Sequence, residues 1–185
     1  MSTSKRKPVE ETYHHGDLRR ALIEATAKIV AKEGAAAVSL REVARVAGVS
    51  HNAPYRHFEN LAALLAAVAT EGFAAFRARL EAAAEKAAPA ARKSALGKAY
   101  LDFALEHPKL YLLMFGPDLN KAEHPELLKV SQGAFDVLRN ETAKGGASGQ
   151  ADAIAAWAFV HGLAHLIIDK QIKRSNPAIA AFFAQ

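Results

Sequence analysis

Apolar residues recur along the chain at three- and four-residue intervals and nowhere alternate, so the pattern predicts helices throughout. Leu18, Leu22, Ala25 and Ile29 form one stripe of a helix from about Asp17 to Glu33. Asp17 stands where an N-cap belongs, and Gly34 where a left-handed stop belongs. Ser39-Leu40-Arg41-Glu42 has the pattern of a capping box, in which the serine oxygen accepts from the third amide and the glutamate reaches back. Leu40, Val43, Ala44 and Ala47 then share a face, and Gly48 ends the helix. Ser50 opens a second predicted helix, with Tyr55 and Phe58 on its later turn. The stretch 39–58 therefore reads as helix, glycine turn, helix, the helix-turn-helix arrangement.

Asn60 is a third predicted cap, for a helix running to about Ala87 with Leu61, Leu64, Leu65, Val68, Phe73, Phe76 and Leu80. Pro89 breaks it. A helix over about Ala90 to Glu106 stops at His107-Pro108, because a residue before proline is biased out of helical backbone. Lys109 to Phe115 reads as a short apolar helix or turn, and Gly116-Pro117-Asp118 as a loop. Pro125 suits the first turn of a helix to about Lys144. Gly145-Gly146-Ala147-Ser148-Gly149 reads as a linker. A last long helix covers about Gln150 to Lys173, before Asn176-Pro177 and a short apolar tail over Ala178 to Phe183. The fold class is all-α, with residues 1–12 a disordered basic arm, 13–60 a helix-turn-helix domain and 61–185 a helical second domain.

Composition supports this reading. The 185 residues include 42 alanines, and alanine has the highest helix propensity. The absence of cysteine excludes disulfides, thiol nucleophiles and cysteine-based zinc modules. The N-terminus has no apolar stretch of the kind a signal peptide carries. The longest apolar run, Ala153 to Ile168, is shorter than the roughly 20 residues of a spanning helix and is interrupted by His161 and His165. These features predict a cytoplasmic protein with no membrane segment. The net charge is +5, and residues 1–60 hold ten Lys/Arg against seven Asp/Glu. That excess is a weak pointer to a polyanionic partner until a groove-reading element stands beside it.

The segment 50–58 supplies one. A helix that reads duplex DNA presents polar or aromatic side chains from its first turns to the major groove. His51 and Asn52 can reach base edges, and asparagine can bond adenine bidentately. Tyr55, Arg56 and His57 offer donors to phosphates, and Phe58 is the inward anchor. Pro54 removes one backbone donor near the helix start.

Four blocks, Tyr13-His14-His15-Gly16-Asp17-Leu18-Arg19, Ser39 to Ala44, Ala47 to Ser50 and Tyr55 to Phe58, resemble in order and spacing the DNA-binding domain of the tetracycline-repressor (TetR) family. The resemblance covers about residues 13–75. It implies an all-helical homodimer, with three helices on duplex DNA and a variable C-terminal domain that binds a small-molecule effector. It places His51, Asn52, Ala53 and Tyr55 against the groove, and Ser39, Arg41, Ser50, Arg56 and His57 along the phosphates. Leu61 departs from the pattern, since many relatives carry a lysine there, three residues after the motif phenylalanine.

The segment Trp157-Ala158-Phe159-Val160-His161-Gly162-Leu163 is similar to the signature of a WHG-type C-terminal subclass. Tyr100, Phe103, His107, Tyr111, Met114, Phe115, Trp157 and His161 are the expected lining of an apolar cavity with a few polar anchors, with plain core packing as the other reading of each. Helices of about 125–144 and 150–173 are the expected dimer interface; the second is apolar nearly all round, so it should be buried on more than one side. No cofactor, metal or catalytic residue is expected. Two alternatives remain at this point: a helical metal-dependent hydrolase using His107, His161 and His165, of which the last two have metal-capable i, i+4 spacing, and a structural dimerisation protein.

Overall fold

The computed structural model describes residues 15–142 and 146–183. The basic arm, His14 and the side chain of Asp17 lie outside the described residues. The elements are α1 (His15–Glu33), α2 (Leu40–Ala47), α3 (Leu61–Lys86), α4 (Arg92–Glu106), α5 (Pro108–Phe115), α6 (Pro125–Thr142), α7 (Gly146–Ile168) and α8 (Pro177–Phe182), with single 3-10 turns in several of the connections; no strand occurs among the described residues.

The N-terminal boundaries follow local chemistry. Ser39 Oγ accepts from the Glu42 amide at 3.2 Å and caps α2. The reciprocal half of the capping box is not made, because the Glu42 carboxylate turns to Arg45 at 2.6 and 2.8 Å. Gly48 ends α2 at φ 71. Its amide bonds to the Arg45 carbonyl and that of Val49 to Ala44, which is a Schellman turn.

The segment after it departs from expectation. Residues 50–58 do not form an α-helix; their only helical turn is a 3-10 turn at Pro54–Arg56. Pro54 has no N–H to return to the Ser50 carbonyl, so the Ala53 amide takes that acceptor at 2.9 Å and the chain tightens to an i→i+3 pattern.

α3 is the central element, packed against α1, α4, α5 and α6. Leu64, Val68, Gly72, Phe76 and Leu80 recur every four residues on its buried face. Full burial of each large side chain contributes about 1.5–3 kcal/mol. Gly72 lets α5 approach: a Cβ there would stand 2.8 Å from Met114 Sδ. α5 also lies against α1, so one short helix braces both halves of the molecule. The Lys109 ammonium at its start donates to the Lys32 carbonyl in the last turn of α1.

α7 differs from expectation at both ends. It begins at Gly146, so residues 146–149 belong to the helix and not to a linker. It stops at Ile168 and not near Lys173, because Lys170 adopts φ 59 and the Lys170 and Gln171 amides close on the Ile167 and Leu166 carbonyls. One side, with Ala153, Val160, Leu163 and Ala164, is buried; Ile154, Phe159 and Leu166 are exposed. Within this single chain the helix is buried on one side. The tail returns to cover α4. Phe183 seats against Gly97, Ser94 Oγ donates to the Phe183 carbonyl, and Phe182 stacks on Phe159 at 3.9 Å between ring centroids.

Contrary to the run-length argument, α3 and residues 149–168 of α7 are long and apolar enough to cross a membrane by length and composition. Helix periodicity tolerates the scattered polar residues that an uninterrupted run excludes. α3 is accounted for as the core helix of the bundle.

Candidate nucleic-acid interface and ligand cavity

The N-terminal site is built on an inward anchor. Phe58 is 5% exposed, and the Arg19 guanidinium lies 5.3 Å from its ring centroid. Phe58 and Pro54 turn inward, and most of the turn's polar side chains face solvent. His51, Asn52, Tyr55 and Arg56 are exposed, Tyr55 by 62%. Ser39, Arg41 and Ser50 are exposed beside them. Arg45 is occupied by Glu42, whose carboxyl the hydrogen-bonded guanidinium holds below its ordinary range. No carboxylate pairs with Arg41 or Arg56 among the described residues. Two expected contacts change. Ala53 is buried, so it cannot face a groove, and His57 is half-buried. The inward turn at Pro54 accounts for both.

The C-terminal domain holds a cavity of about 450 Å³ between α3, α4, α6 and α7. Tyr100, Phe115 and Trp157 line it. Phe73, Phe76, Phe135 and Lys121 line it too, although the sequence pattern did not assign them to a cavity. Tyr111 and His161 stand behind the wall in a hydrogen-bonded chain. The Trp157 indole N–H donates to the Tyr100 hydroxyl at 3.3 Å, Tyr100 lies 3.0 Å from the Tyr111 hydroxyl, and Tyr111 lies 2.6 Å from His161 Nδ1. Burial raises the Tyr100 hydroxyl to about 12 and raises Tyr111 further, so both keep their protons. Burial, then the charges of His165 and Lys121, lowers His161, which favours its neutral form. The Tyr100 hydroxyl lies 3.0 Å from the same nitrogen, so the Tyr100, Tyr111 and His161 polar atoms form a closed triangle.

The remaining expected lining residues lie elsewhere. Phe103 and His107 face a separate cavity of about 360 Å³ between α1, α3 and α5. Met114 is packed core against Gly72. His107 contacts the Phe103 ring, whereas His161 and His165 contact Tyr111. The three histidines named for a hydrolase therefore do not converge, and no group of three or more His, Asp or Glu side chains among the described residues could hold a metal.

Lys121 sits in a 3-10 turn, with its ammonium 4.8 Å from the Phe73 ring centroid and 5.3 Å from that of Phe115. Desolvation lowers its pKa. The contacts are cation–π in kind.

Two family profiles match the chain. Residues 22–68 match bacterial regulatory proteins of the tetR family, and residues 94–185 match a tetracyclin repressor-like C-terminal domain. A structure described as a protein with unknown function from Rhodococcus sp. RHA1 is 34% identical, covers 94% of this chain and 97% of its own, and superposes with TM-score 0.79. The transcriptional regulator FadR from Bacillus subtilis, in complex with stearoyl-CoA, is 15% identical over 89% of this chain and 94% of its own, with TM-score 0.70. The TetR family transcriptional regulator PfmR from Thermus thermophilus is 20% identical over 84% and 88%, with TM-score 0.60. No curated protein sequence matches the chain significantly.

Proposed function

This chain belongs to the tetR family of bacterial regulatory proteins, and on that premise we propose that it is a repressor that binds a palindromic operator as a homodimer and leaves it when a small molecule enters the C-terminal cavity. The observation that carries the reading is the solvent-facing set His51, Asn52, Tyr55 and Arg56, held by a proline-led turn over the buried Phe58. Base edges fall to His51, Asn52 and Tyr55; phosphates fall to Ser39, Arg41, Ser50, Arg56 and the half-buried His57.

Homodimerisation is supported by the exposed apolar face of α7, with Ile154, Phe159 and Leu166, and by exposed Leu128 on α6. A contiguous apolar face of this kind suits a second copy of the same helices. The same pairing answers the apolar length of α7 without a membrane and fits a cytoplasmic DNA-binding protein. Ile154→Glu is expected to give monomers in sedimentation and to weaken operator binding.

Effector release requires different ligand affinity in two states. α5 is suited to link them, since Phe115 lines the cavity and the same helix braces α1. Neighbours of this fold with bound small molecules, stearoyl-CoA in the Bacillus subtilis FadR and imidazole in the multidrug binding protein EbrR, support a small-molecule ligand for this chain. Selecting bound sites from a random duplex pool tests the reading. An enriched palindrome with binding that weakens as salt rises is expected; binding with no sequence preference would overturn it.

A further inference from the structure

Lys121 has an environment that its fold does not explain. It is half-buried, and no carboxylate pairs with it among the described residues. Its neighbours are ring faces, and its ammonium lines the 450 Å³ cavity. The charges around that cavity otherwise cancel. Arg139 and Asp136 on α6 pair at 2.8 Å. Burial favours the neutral form of His161, and its Nδ1 is already engaged by the Tyr100 and Tyr111 hydroxyls. The donors of Trp157 and Tyr100 are engaged within their own chain. The cavity thus offers one uncompensated positive charge, at one end of a wall made of Phe76, Tyr100, Phe115, Phe135 and Trp157.

A partly desolvated ammonium without a carboxylate is costly, and an anion that supplies the pair gains a charge-assisted hydrogen bond. One uncompensated ammonium matches one carboxylate. The ring-lined remainder matches an aryl or acyl body.

We infer that the cavity takes an organic monocarboxylate, its carboxylate on the Lys121 ammonium and its apolar body along the Tyr100, Phe115 and Trp157 rings. The inference rests on the effector-responsive reading above and names the ligand class for that site. The cation–π contacts keep the ammonium at the cavity wall while it waits for its anion.

The test is calorimetric titration of the full-length protein with 4-phenylbutyrate and octanoate, each against its primary amide. Trp157, the single tryptophan, gives a second, fluorescence readout from the cavity wall. The carboxylates are expected to bind roughly tenfold tighter than the amides, as a charge-assisted bond should give. Lys121→Gln is expected to abolish that preference and Lys121→Arg to keep it, with circular dichroism confirming folded protein in both. Equal binding of acid and amide, no binding of either acid, or a preference that survives Lys121→Gln would overturn the inference. Operator duplex in the same samples separates the two claims. Release by a neutral compound alone sinks the carboxylate and spares the regulator. Acids held at Lys121 by a protein that binds no duplex do the reverse.

Discussion

The Tyr111 hydroxyl lies 2.6 Å from His161 Nδ1, the tightest contact in a chain that runs from Trp157 through Tyr100. It ties the cavity wall on α4 and α5 to α7. Protonating His161 makes both ring nitrogens donors, so Nδ1 could then only donate to the tyrosine hydroxyls.

The pH dependence has a definite sign. His161 is lowered from its ordinary 6.5, first by burial and then by His165 and Lys121. Above 6.5 both folded and unfolded chains hold it neutral, and it contributes nothing. As pH falls through 6.5 the unfolded chain takes up a proton that the folded chain resists, so stability is lost toward acid. Between about pH 7.5 and about pH 5, the thermal midpoint of the wild type is expected to fall more steeply than that of His161→Gln. Parallel curves would refute this account.

Tyr55 and Phe58 lie three residues apart and should fail in opposite ways. Tyr55 is exposed, so Tyr55→Ala is expected to leave unfolding within about 0.5 kcal/mol of wild type while operator binding is lost. Phe58 is core, and Phe58→Ala is expected to cost about 3–5 kcal/mol. Urea unfolding beside a duplex-binding assay separates the two; a destabilised Tyr55→Ala would place that ring in the core instead.

Ser39 allows capping to be told from phosphate contact. Ser39→Ala removes the acceptor for the Glu42 amide and is expected to cost about 1 kcal/mol. Ser39→Asp restores a cap and adds a negative charge. Near-wild-type stability with weakened DNA binding is the expected result, measured by thermal melts and duplex titration. Unchanged DNA binding in Ser39→Asp would remove Ser39 from the interface.

Gly97 sets two local effects against each other. Alanine there favours α4 by about 1 kcal/mol in helix propensity. Its Cβ would stand 2.6 Å from Phe183 Cε1, a ring that cannot bend away. The expected outcome of Gly97→Ala is a small change in thermal midpoint with loss of amide exchange protection over residues 178–183. Protection retained there would mean that the ring has another seat.

Much of this architecture is legible in the sequence because it rests on local rules. Ser39, Gly48 and Asn60 cap or stop their helices where their side chains and backbone require. The failures have physical causes. Pro54 outweighs the helical pattern of 50–58, since a missing N–H so early in a short segment leaves too few bonds to hold an α-turn. The glycine-rich 146–149 is drawn into α7, whose helix continues into a face buried from Gly149 and Ala153 onward. Phe103 and Trp157 share apolar character, yet helix rotation sends them to different cavities. Lys121 carries no periodic signal at all. Its surroundings arise only when Phe73 of α3 and Phe115 of α5 close over it.

The Lys109 ammonium on the Lys32 carbonyl closes the last turn of α1 with a residue 77 positions away. Carbonyls at a helix end need a donor, and a cation suits that end of the helix dipole. A fragment ending before α5 would lose that donor and the helix that packs against α1. The DNA-contacting third of the chain is therefore expected not to fold as a detached module. Its folding is completed by the other two-thirds, and heating should melt the protomer in one cooperative transition rather than two.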